Sequence, residues 1–211
     1  MATSANFQPE VGQVKDDGGD AARPFWRPIP RLEEDSRESI LEQREGSSSS
    51  KLVVVFSGVG EEPPPKFELK RTMRDLRNES TAVLFLRDLD ILWFVPRCEW
   101  FASIITDTCA QTKAKELCFI GISAGGFAAL FFRKHFFPSA RVLALSPQAF
   151  LSAAERERVG DKRWEPYINH LNRISRPGLL DLADDFTLLD QKPEGVEEGH
   201  VQVLYNVHDF L

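Results

Sequence analysis

Ser123 stands in the pentapeptide Gly121-Ile122-Ser123-Ala124-Gly125, a spacing suited to nucleophilic catalysis. A serine displayed on a tight strand-to-helix turn needs small residues two positions away on either side, because the turning backbone leaves no room there for a Cβ. The flanks agree: the apolar run Leu117-Cys118-Phe119-Ile120 leads in, and Gly126-Phe127-Ala128-Ala129-Leu130-Phe131-Phe132 leads out. The motif therefore reads as a nucleophile elbow, and its chemistry is attack on an acyl carbon with the acyl group held covalently on the hydroxyl. A second small-residue segment, Ser57-Gly58-Val59-Gly60, follows the apolar run 52–56. Its Gly-x-Gly opening suggests a dinucleotide fingerprint, but the third glycine position is Pro63, followed by Pro64 and Pro65. No helix N-terminus is left there for a pyrophosphate, and no Gly-Lys-Ser/Thr phosphate loop occurs. Cys98, Cys109 and Cys118 lack CxxC spacing and a histidine cluster. They read as reduced, partly buried thiols, and no metal or organic cofactor is implied.

The elements that must carry these residues alternate along the chain from Lys51. Short runs rich in β-formers predict strands at about 52–56, 82–86, 117–122, 141–145 and 201–205. Between them, longer segments predict helices at about 66–78, 99–114 and 124–136. Strand and helix in alternation indicate an α/β fold with a mostly parallel sheet and helices on both faces, and the near-continuous apolar strands suit burial from both sides. Residues 148–195 are predicted to form a lid or cap, with helices at Ala153–Arg158 and Trp164–Ile174. The first 50 residues differ in kind. They carry Asp16-Asp17-Gly18-Gly19-Asp20, several prolines and Ser47-Ser48-Ser49-Ser50, and read as a disordered acidic leader with at most a short helix over Leu32–Arg44.

Composition narrows the function classes. In 211 residues, 42% are hydrophobic, which supports one folded domain with a sizeable core. A net charge of −6, with no cluster of Lys and Arg, argues against a nucleic-acid partner. The apolar run after the elbow is broken by Arg133, Lys134 and His135, well short of the ~20 residues a membrane-spanning helix requires. No apolar signal region opens the chain, so a cytoplasmic location is expected.

The sheet order, the elbow after the third recognised strand and an acidic residue after the last one together resemble the α/β-hydrolase superfamily over residues 51–211. The resemblance implies that Ser123 is the nucleophile and that the backbone N–H of Ala124 is one oxyanion donor. A second donor would come from Ser57-Gly58-Val59-Gly60, with Val59 the first choice. It further implies an acid after strand 201–205, where Asn206-Val207-His208-Asp209 offers Asp209. Asp88, after strand 82–86, ranks below Asp209 because its position departs from the family's arrangement. Trp93 and Phe94 are read as pocket wall or buried anchors, and Ser146-Pro147-Gln148 as a turn at the site edge.

The histidine departs from the pattern. The family places it after an eighth strand, and the sequence ends at Leu211. His135, His170, His200 and His208 each read as a surface or packing residue rather than a general base. The expectation is a C-terminally incomplete serine esterase, lipase or acyltransferase acting on a small-molecule ester or acyl substrate. A non-catalytic binding or scaffold protein is the rival. An unpaired edge at 201–205 is expected to drive dimerisation or aggregation.

Overall fold

Six consecutive residues of β-forming character, Lys51–Phe56, form strand β2, and all but the first are buried. The computed structural model describes residues 38–42, 49–59, 66–67, 69–73, 80–148, 150–176, 178–180 and 201–204. Within them, β2 lies between β3 (Thr81–Leu86) and β4 (Glu116–Ile122), parallel to both, with Val54 opposite Leu84 on one side and Phe119 on the other. Strands β5 (Arg141–Leu145) and β6 (Val201–Leu204) extend the sheet in parallel beyond β4. A strand at Ser39–Glu42, β1, runs antiparallel along β3, so the order is β1-β3-β2-β4-β5-β6. This mostly parallel sheet, with one antiparallel strand beside β3, is α/β-hydrolase-like.

Strand β1 corrects the sequence reading, which had a short helix over Leu32–Arg44 inside a leader ending near residue 50. Too few apolar residues recur at helical spacing there. As a strand, Ile40 and Leu41 instead reach opposite faces of the sheet, Leu41 joining the larger core cluster and Ile40 the smaller. Four residues are too few for a period-2 signal to stand out in sequence, and the pairing with β3 supplies what local propensity does not. Arg97 adds an anchor: its Nη1 donates to both carboxylate oxygens of Glu38 at 2.8 Å.

The larger cluster joins Leu52, Val54 and Phe56 of β2 to helices α1 (Cys98–Thr112) and α2 (Ala124–His135). Aromatic rings fill the space between sheet and helices, Phe56 meeting Phe94 and Phe119 edge-on at 5.4 and 5.5 Å. The opposite face holds Val53, Val55, Val83 and Phe85, with Met73, Phe67 and Leu69 packed on them. The helix predicted at 66–78 does not run through this segment from its start. Leu69 has φ 59°, and among the described residues one turn follows, closed by the Met73 N–H on the Leu69 carbonyl at 2.7 Å; residues 74–79 lie outside those described.

Helices α3 (Ala153–Val159) and α4 (Glu165–Ile174) occupy the described part of the predicted lid. Ser152 caps α3 by accepting the Glu155 N–H. Asn172 of α4 binds back to the start of α3, its Nδ2 donating to the Leu151 carbonyl at 2.7 Å and its Oδ1 accepting the Ala153 N–H at 3.0 Å. Leu151, Tyr167, Ile168 and Leu171 belong to the larger core cluster, so this helical pair is docked on the domain.

Candidate active site

Ser123 joins β4 to α2 with φ 53° and ψ −116°, a backbone conformation that costs an L-residue of order 1–3 kcal/mol. It persists because its surroundings over-determine it. The Ser123 N–H donates to the Leu145 carbonyl at 2.9 Å, and the Ser123 carbonyl accepts from Phe127 at 3.0 Å and Gln148 at 3.3 Å. A Cβ on Gly121 would lie 2.0 Å from the Gly125 carbonyl oxygen, and one on Gly125 would lie 2.1 Å from that of Phe56. The two glycines thus let helix α2 start directly against the ends of β4 and β2. Ser123 itself is half-buried, whereas Gly121 and Ala124 are buried, so the turn displays its serine.

Ala124 is the first residue of α2, and its N–H has no carbonyl partner one turn earlier in the helix. That N–H and the positive end of the helix dipole suit a developing negative charge on a substrate oxygen. Past the end of β2, Phe56 and Val59 both join the larger core cluster although they stand three positions apart, an odd spacing that would put them on opposite faces of a strand. The alternation of the strand therefore breaks at Ser57-Gly58, after the Ser57 N–H has made the last ladder bond, to the Leu86 carbonyl at 2.9 Å. Val59 is 7% exposed, a buried apolar side chain fixing the loop that carries its N–H.

The loop after β3 is tied to the elbow through Gln148. Asp88 Oδ1 accepts the Asp90 N–H at 3.1 Å, and Oδ2 accepts those of Leu92 at 2.7 Å and Phe94 at 2.9 Å. Burial raises the Asp88 carboxyl to about 6, the three N–H donors opposing that rise and the Asp90 charge adding to it. Asp88 is therefore a loop anchor rather than a residue poised to support a distant base. Trp93 is 1% exposed and its Nε1–H donates to Gln148 Oε1 at 2.9 Å. Since the Gln148 N–H binds the Ser123 carbonyl, this residue ties the loop to the elbow. Phe94 packs edge-on against Phe101 at 4.8 Å. Trp93 and Phe94 are buried anchors. Sequence analysis placed Gln148 at the site edge but gave no sign of its bond to Trp93, because no local pattern links residues 55 positions apart.

The histidines fare unevenly. His135 ends α2, so it lies about 18 Å along the helix from Ser123, and its ring packs 4.6 Å from that of Phe131. His170 is half-buried on α4. Asp209, His200 and His208 lie outside the described residues. The structure thus places Ser123 and Ala124 at the turn from β4 to α2 and sets Ser57, where the loop to Val59 begins, against Gly125, and it leaves the acid and base unplaced.

No protein-family model matches the sequence, and no curated protein does. Among solved structures, the chain is similar to a capsule O-acetyltransferase of Neisseria meningitidis serogroup A at 12% identity and a TM-score of 0.47, over 80% of this chain and 82% of that one. It is also similar to Est1E from Butyrivibrio proteoclasticus at 15% identity and 0.47, over 79% and 82%. A third is FphF, a fluorophosphonate-binding serine hydrolase of Staphylococcus aureus, at 13% identity and 0.47, over 88% and 69%. Likenesses at this level say nothing of activity, and the hydrolase-like architecture stands on the strand order and the elbow. Among the described residues, no helix is long and apolar enough to cross a membrane.

Proposed function

We propose that this protein is a serine hydrolase that cleaves a small-molecule carboxylic ester through an acyl-enzyme on Ser123. The observation that carries the reading is the half-exposed serine held at φ 53° on a turn whose neighbouring glycines admit no Cβ. A strained serine at the carboxyl ends of parallel strands is the arrangement acyl transfer needs. In the first half-reaction, Ser123 Oγ bonds to the ester carbon, its proton passes to a base, and the alcohol leaves with a proton. Water then takes the place of the alcohol and releases the acid. The N–H groups of Ala124 and Val59 are assigned as oxyanion donors, and Asp209 as the acid that supports the base.

Acyl transfer to an alcohol in place of water uses the same site and is the alternative within this reading. A binding protein that keeps the fold without turnover is the rival outside it. The three cysteines form no disulfide, which fits a reducing, cytoplasmic setting. A fluorophosphonate probe tests the proposal. Labelling of the full chain that disappears in Ser123→Ala supports the enzyme, and no labelling of the parent supports the binding protein.

A further inference from the structure

The two glycines of the elbow admit the conformation of Ser123 but do not impose it. Missing side chains remove a clash, and a residue at φ 53° and ψ −116° still needs partners that hold it there. Those partners come from the end of β5 and the turn beyond it. The Leu145 carbonyl accepts the Ser123 N–H at 2.9 Å, and the Gln148 N–H donates to the Ser123 carbonyl at 3.3 Å, so both polar backbone groups of the serine are gripped by residues three positions apart. The first bond continues the pairing of β4 with β5, in which Ile122 stands opposite Leu145. The second lies beyond the strand and depends on where the intervening turn sets Gln148.

Three contacts fix that turn. Ser146, at φ 42°, donates its N–H to the Leu204 carbonyl of β6 at 2.6 Å. Pro147 packs on the first turn of α2, its Cβ 3.0 Å from where a Cβ on Gly126 would stand. Gln148 is 5% exposed, and its Oε1 accepts the Trp93 Nε1–H at 2.9 Å. An indole only donates, so Trp93 sets which end of the amide faces it. Trp93 is in turn held at φ 55° in the loop gathered by the Asp88 carboxylate. An apolar side chain would fill position 148 with no amide to dehydrate, so what the glutamine adds is this bond between two distant turns.

We propose that Gln148 is a positioning residue that carries the rigidity of the loop after β3 to the nucleophile, its side chain fixed by Trp93 and its backbone N–H fixing the Ser123 carbonyl. The inference rests on the acyl-enzyme reading of Ser123 and adds a residue to it. Gln148 touches no reacting atom. It keeps Ser123 Oγ where the ester carbon is met, and a misplacement of about 1 Å there can lower a rate by about 10²-fold. The rival role for Gln148 is to satisfy a buried indole and nothing more, and the two roles differ in their kinetics.

The test compares the full chain with Gln148→Met, Trp93→Phe and the double variant. It uses p-nitrophenyl acetate for kcat and KM, a fluorophosphonate for the rate of Ser123 modification, and thermal unfolding for stability. Rates are read well below each unfolding midpoint, so that every variant is folded when assayed. Met nearly matches Gln in length without its acceptor, and Phe keeps an aromatic ring without the donor. Each single variant is expected to lower kcat and the labelling rate by about 10-fold with KM little changed, since only the placing of the nucleophile is altered. The double variant is expected to be no slower than the slower single one, because both changes remove the same bond. A Gln148→Met protein that reacts at the parent's rate, whatever its midpoint, confines Gln148 to capping the indole; it overturns the proposal and leaves the Ser123 reading intact. Losses that multiply in the double variant overturn it as well. Should Gln148→Met not fold, Trp93→Phe decides alone, and labelling at the parent's rate overturns the proposal. A parent that neither hydrolyses nor labels overturns both this inference and the reading of Ser123.

Discussion

Two segments at the carboxyl edge of the sheet hold residues in conformations an L-amino acid avoids, and they do so by opposite means. At the elbow, Ser123 sits at φ 53° because Gly121 and Gly125 lack side chains that would block the turn. In the loop after β3, Ile91, Trp93 and Phe94 have φ 56°, 55° and 64° without a glycine near them. There a side chain does the holding: the Asp88 carboxylate gathers three N–H groups, and Trp93 and Phe94 are almost fully buried. Strain kept by the absence of atoms is local and visible in a pentapeptide. Strain kept by a buried carboxylate depends on everything packed around it.

The contrast can be broken first at the glycines. Gly125→Ala places a methyl group 2.1 Å from the Phe56 carbonyl oxygen, which is backbone and cannot swing aside. A loss well above about 4 kcal/mol is expected, read as insoluble protein or as collapse of the urea midpoint. If Gly125→Ala folds with near-parent stability, the close approach of β2 and α2 is wrong.

Asp88 comes next, through pH. Its carboxyl is raised from 3.8 to about 6 in the folded protein, so the folded state holds the proton more tightly than the unfolded chain. Its contribution to stability is full below pH 4 and is lost as pH rises through about 6, a change of about 3 kcal/mol. Denaturation at a series of pH values reads it as the difference between the parent and Asp88→Asn, in which this component is absent. At a single pH the Asn variant is expected to lose about 1–3 kcal/mol, because one amide oxygen cannot accept all three N–H groups. Equal pH profiles for the two proteins would show that burial does not raise this carboxyl, and an Asn variant as stable as the parent at every pH would remove Asp88 as the anchor.

Smaller effects sharpen the link between the two segments. Trp93→Phe keeps an aromatic ring but deletes the bond to Gln148 and leaves a small cavity, and a loss of about 2 kcal/mol is expected from thermal unfolding. A larger drop in Ser123 labelling than in stability would show that the loop positions the elbow through Gln148. Smallest is the sheet edge. Leu204 is 56% exposed on β6, and Leu204→Lys is expected to reduce concentration-dependent self-association in size-exclusion chromatography.

Much of the framework was legible in advance. The apolar runs gave β2 to β6, and helices were predicted at 99–114 and 124–136 where α1 and α2 lie. β1 escaped because four residues carry too weak a pattern, and the helix at 66–78 failed at its start because Leu69 turns left-handed. Ser57 was read as one of several small residues in a loop. Nothing in its neighbours says that its hydroxyl is buried without a partner, which is a property of the packed chain.

The sequence alone determined the parallel strands, their crossover helices and the elbow, because each is written in residues that are close along the chain: apolar runs of fixed period and glycines two positions from a serine. Tertiary structure decided which strand lies beside which, the antiparallel place of β1, the burial that raises Asp88 and the contact that sets Ser57 against α2. Those depend on atoms from distant segments meeting in a dehydrated interior. There an unpaired hydroxyl or a buried carboxylate acquires an energy that it does not have in water.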